Sequence, residues 1–190
     1  QEATLQVLAL LVRLLECRAH AAVLALPPAA TATFVGLLTA TTGHAALSSA
    51  YAEHARYQCV AGLQELSRSL ELRSGLCRPP VINACLACLA ESSNATVGLE
   101  VQFRVTEFIR SLLTLVPGGA LIRVLWGSRC LPRLLPLLPA DADGAAAKAP
   151  QATNLLSFFG ALLPVTPVVL APLEERAVQG VLGAVLRLLH

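Results

Sequence analysis

Methionine is absent from this 190-residue chain, and lysine occurs once, at Lys148. Without an initiator Met, we expect a segment of a longer or processed protein. Charge is also scarce: 14% of residues are charged, against roughly 25% in an ordinary globular domain. That leaves too little polar surface for a well-solvated free monomer, so flanking protein, a partner or a membrane should cover part of it. Aromatic residues make up 4%, too few for a base-stacking platform. The cations are scattered and form no run, although the net charge is +2. A phosphate-binding surface needs clustered cations, so the sequence points away from nucleic acid.

Catalytic signatures are missing as well. There is no Gly-rich phosphate loop, dinucleotide fingerprint or Gly-x-Ser-x-Gly elbow, and Glu53-His54 lacks the continuation of a zinc protease helix. His20, His44, His54 and His190 are isolated. Asp141 and Asp143 sit among alanines as solubilising charges, whereas general acid–base work needs a rigid, desolvated pair. Cys85-Leu86-Ala87-Cys88 is a lone CxxC with no second pair to complete a tetrahedral site. With Cys17, Cys59, Cys77 and Cys130, these thiols spread over apolar helical patterns, where free Cys acts as a small hydrophobe. A reducing, intracellular compartment, cytoplasm or nucleus, is expected. The triplet Asn94-Ala95-Thr96 would matter only in a secreted protein. No enzyme, metal or cofactor is expected.

What the chain has in abundance is apolar residues, 55% of the total, at helical spacing. Residues 4–18 put Leu5, Leu8, Leu11, Val12 and Leu15 on one stripe. Pro27-Pro28 interrupts, and a helix resumes over 31–41. Residues 44–72 form one long or two abutting helices, closed by Arg73-Ser74-Gly75. A short helix over 81–90 follows Pro79-Pro80, residues 91–94 turn, and a longer helix covers 97–116. Within it Glu100 and Arg104 make a well-oriented i,i+4 pair. Short helices are expected over 121–126 and 130–138, a loop over 139–150, and helices over 151–163 and 172–190. No stretch alternates as a strand would. Residues 149–173 carry no charge and are long enough to span a bilayer. Pro150, Pro164, Pro167 and Pro172 cut that stretch into pieces too short to cross. Membrane association through 149–173 is the alternative reading.

A short apolar helix, a linker and a longer amphipathic helix occur in succession three times. Leu38, Leu86 and Leu134 mark the units at a spacing of about 48 residues, close to the length of armadillo and HEAT units. The third unit, CLPRLLPLLPADADGAAAKAPQATNLLSFFGALL, resembles an armadillo repeat, and VINACLACLAESSNATVGLEVQFRVTEFIRSLL follows the same order of parts. The likeness covers roughly residues 34–163. It implies an all-α, irregular armadillo/HEAT-like solenoid of about three repeats plus flanking helices, a single domain over 1–190. It further implies a protein-binding scaffold completed by flanking repeats, with the longer helices lining a groove. Arg104, Glu107, Gln58 and Glu65 are then the groove candidates, and Trp126 is a candidate anchor for a partner.

Overall fold

The structure, a computed structural model, describes residues 2–16, 27–42, 49–92, 95–115, 119–138, 142–162 and 179. Among these residues it is helical, with no strand. Helix α1 spans Glu2–Glu16 and buries Leu8, Val12 and Leu15, the i, i+4, i+7 stripe that the periodicity marks. Glu2 lies in the first turn and Arg13 in the last, each favourable to the helix dipole, while Glu16 at the last position opposes it. Helix α2 (Pro27–Thr41) buries Ala30, Phe34, Leu38 and Thr41 on one face. The proline pair thus opens this helix instead of interrupting before residue 31, because a first-turn proline gives up no intrahelical hydrogen bond.

Helix α3 (Ser49–Leu66) is covered on several sides, and α4 (Leu70–Leu76) follows after a tight turn. Arg73 folds back to donate from Nε to the Ser67 carbonyl at 2.7 Å, tying that turn to α4. The expected stop at Arg73-Ser74-Gly75 is corrected by this helix, which runs to Leu76. Helix α5 (Pro79–Glu91) has prolines at its first turn and buries seven of its side chains, Val81, Ile82, Ala84, Cys85, Leu86, Cys88 and Leu89. Helix α6 (Thr96–Leu115) carries the Glu100–Arg104 pair, Nε to Oε1 at 3.3 Å. Helix α7 (Ala120–Gly127) starts from Gly119, whose φ of 68° lies in the left-handed region that glycine adopts without strain. Helix α8 (Cys130–Leu134) runs into a 3-10 turn, Leu135–Leu137.

The last described helix, α9, is Ala142–Leu162. It replaces the loop expected over 139–150, of which only residues 139–141 lie outside the described residues. The run Ala145-Ala146-Ala147 favours helix on propensity, and the helix continues through Pro150. The expected helix over 172–190 lies outside the described residues, Gln179 aside.

Helix contacts follow two series. Helices α1, α3, α6 and α9 touch in that order, and so do α2, α5 and α8. The series are joined where α2 packs on α3 and α5 on α6, with α7 against α5, α6 and α8. Between them lies one continuous core, with Phe34, Leu63, Ile82, Leu86, Phe108 and Ile109 fully buried. The close approach of α2 to α3 depends on Gly62, where a Cβ would overlap the Phe34 ring.

Two buried polar side chains fasten the series together. The last carbonyls of a helix have no intrahelical partner. Arg56 of α3, 6% exposed, donates from Nη2 to Thr41 O at the end of α2, and from Nη1 to Glu91 O at the end of α5 at 3.3 Å. Its guanidinium also lies 3.6 Å from the Glu91 carboxylate. In α6, fully buried Gln102 donates from Nε2 to Ser92 O, the cap of α5, at 3.1 Å. Helices α3 and α6 therefore each satisfy the C-terminal end of the shorter helix before them.

Candidate functional site

The three longer helices of the sequence pattern, α3, α6 and α9, are in serial contact, α3 with α6 and α6 with α9, and polar side chains cross both contacts beside the apolar core. Arg104 reaches from α6 to α3, where its guanidinium stacks 4.4 Å from the Tyr57 ring centroid. Its Nη2 also donates to the Tyr57 hydroxyl at 2.7 Å. With Glu100 on its other side, Arg104 is oriented by an aromatic face, a hydroxyl and a carboxylate. On the opposite flank of α6, Asn154 of α9 donates from Nδ2 to Leu99 O at 3.2 Å. Thr106, 48 residues before Asn154, is directed at the Asn154 carbonyl at 3.4 Å.

Between these flanks runs the open ridge of α6: Glu100, Phe103, Arg110 and Thr114 are exposed and Glu107 is half-buried. Arg110 donates to Glu107 Oε2 at 2.9 Å, an i,i+3 pair. Phe103 presents an aromatic ring, 48% exposed, in the middle of this charged ridge.

Of the residues picked from sequence, Arg104 and Glu107 share this surface. Gln58 and Glu65 do not join them. Gln58 follows Tyr57 by one residue, about 100° of helix turn, and Glu65 by eight, about 80° around the same helix. Glu65 is largely covered, its Oε2 held 2.7 Å from Arg68. Trp126 lies in α7, and its indole is half-buried against the core. Tyr57, Phe103 and Asn154 were not picked. A signal for Tyr57 was available: it precedes Arg104 by 47 residues, almost one unit.

No known family, characterised protein or solved structure matches this chain.

The thiols are placed in the core. Cys59, Cys77, Cys85 and Cys88 are buried and free, and Cys130 is buried; Cys17 lies outside the described residues. Burial pushes the Cys59 thiol up from its ordinary 9.0 to about 12, with Cys88 adding to the effect. Burial does the same for Cys88, to about 12, although Arg56 and the Ser92 hydroxyl act against it. Cys85 and Cys77 are also raised by burial. A nucleophile or metal ligand needs the thiolate, which these surroundings disfavour. Among the described residues no three His, Cys, Asp or Glu side chains are grouped to hold a metal ion.

Two open clefts, each of about 390 Å³, flank α5. One lies against α7 and has Arg123 as its one ionisable lining residue. The other, between α2, α4 and α5, has Glu71 and Arg78, both exposed. Neither offers the desolvated pair that acid–base chemistry requires.

No helix among the described residues is long and apolar enough to cross a membrane. For the stretch 149–173, the described part belongs to α9, which buries Leu155, Phe158, Phe159 and Leu162 and packs on α6. Residues 163–173 lie outside the described residues.

Proposed function

We propose that this chain is a non-enzymatic protein-binding scaffold, an armadillo/HEAT-like helical-repeat segment that holds a peptide or partner helix against the surface of α3, α6 and α9. The observation that carries the reading is the Arg104 assembly. A guanidinium held by Tyr57 and Glu100, next to exposed Phe103, gives a pre-oriented cation beside an apolar contact. Arginine and aromatic side chains so arranged supply most of the energy at protein interfaces. The serial contacts α3–α6–α9, and polar links spaced by about one unit, support the repeat reading. Buried free thiols suit a reducing, intracellular compartment.

The test is affinity capture from cell extract with the intact protein, followed by charge reversal at Arg104 and Glu107. Partners should be lost with Arg104→Glu and weakened with Glu107→Arg. Retention of every partner by both variants overturns the assignment of this surface.

A further inference from the structure

Helix α1 is apolar on two opposite faces. Leu8, Val12 and Leu15 are buried toward α3. On the other side Val7, Leu10 and Leu14 are 64%, 58% and 52% exposed, and Ala3 is exposed with them. Positions 3, 7, 10 and 14 follow the alternating four-and-three spacing of a coiled-coil seam, which keeps one stripe facing a partner helix. This seam covers nothing among the described residues.

The charges beside the seam select an occupant. Glu2 and Arg13 lie on the same flank, near opposite ends of the helix, and both are exposed. Neither belongs to an ion pair among the described residues. When two copies of α1 are laid antiparallel, Ala3 faces Leu14 of the second copy and Val7 faces its Leu10. A twofold axis then lies midway between positions 7 and 10. The same operation sets Glu2 of each copy within about 3 Å along the axis of Arg13 in the other, at 1.5 Å rise per residue. Two equivalent ion pairs result, one at each end, and the helix dipoles oppose. A parallel pair instead sets the Glu2–Arg13 flank against the flank of Thr4 and Leu11, and both charges stay unmatched.

The geometry points to self-association of this chain through an antiparallel pair of α1 helices, with Val7, Leu10 and Leu14 in the seam and Glu2–Arg13 pairs closing both ends. The interface is isologous. One helix of this length lies at the small end of specific interfaces, below roughly 1,200 Å² in total. The dimer is therefore reversible, and this surface is independent of the α3–α6–α9 surface.

The test is sedimentation equilibrium of the whole chain over a concentration series, with circular dichroism to confirm unchanged helicity. The wild type should move between monomer and dimer. Leu10→Glu, at an exposed position, should raise the dimer dissociation constant at least about tenfold, equivalent to 1.4 kcal/mol. Glu2→Arg alone should weaken the dimer, and Glu2→Arg with Arg13→Glu should restore it. A wild type that stays monomeric throughout, or association untouched by Leu10→Glu, overturns the proposal. A double variant no tighter than Glu2→Arg alone overturns the antiparallel arrangement.

Discussion

Replacing Arg56 tests the claim that a buried cation fastens the two helix series. Arg56→Met keeps most of the apolar stem and removes the guanidinium. The lost bonds are those to Thr41 O and Glu91 O, and a hydrogen bond to a charged group contributes about 1.5–3 kcal/mol. Two carbonyls at the ends of α2 and α5 then lack their partner, while the folded state no longer has to desolvate a buried charge. The ion pair with Glu91 adds little, because that carboxylate is 42% exposed. Taken together, a destabilisation of about 2–4 kcal/mol is expected. Urea unfolding followed by far-ultraviolet circular dichroism measures it, and the thermal midpoint should fall by roughly 5–15 °C for a chain of this size. Arg56→Lys should recover only part of the loss, since one ammonium on a flexible stem lacks the guanidinium fork that reaches two carbonyls. A loss below about 1 kcal/mol for Arg56→Met, or full recovery by Lys, refutes the argument.

Other consequences can be measured in parallel. Arg104→Ala should cost less than about 1 kcal/mol, because its partners lie at a half-exposed surface, so the same unfolding assay should separate it clearly from Arg56. Gly62→Ala should destabilise by about 1–3 kcal/mol through the clash with Phe34. Phe34→Leu in the same chain should make the added methyl less costly, which a double-mutant cycle detects. The thiols should react slowly with an aromatic disulfide reagent in the native protein and rapidly in denaturant. Since Cys59 and Cys88 have folded values near 12 against an ordinary 9.0, the folded state holds these protons more tightly. Their contribution to stability is thus complete below pH 9 and is lost as pH rises from about 9 toward about 12. Stability that stays flat across that interval would contradict their burial as neutral thiols.

Sequence alone determined the helical class and most helix positions, because the 3.6-residue period of Leu8, Val12 and Leu15, or of Val101, Val105 and Leu112, is local information. Helix ends were less legible. Pro27, Gly75 and the 139–150 stretch all carry stop signals, yet helix persists through or from each, since propensity and packing outweigh a single breaker. Of the candidate surface, Arg104 and Glu107 could be read from their polar positions on the long helix. For Tyr57 beneath Arg104 the sequence carries only the spacing of about one unit, because its hydroxyl and ring acquire meaning once α3 lies beside α6.

Tertiary structure alone decided the fate of the polar residues. Arg56 and Arg104 look alike in sequence, one charge on each of two long helices. The first is 6% exposed and caps two helix ends, and the second stands at an open surface. Likewise the period of α1 marks the stripe of Leu8, Val12 and Leu15 that packing on α3 covers, but that Val7, Leu10 and Leu14 stay outside is decided by the fold. Periodicity states which residues share a face. Which face becomes core depends on the contacts between helices distant in the chain, and these are set by the whole fold.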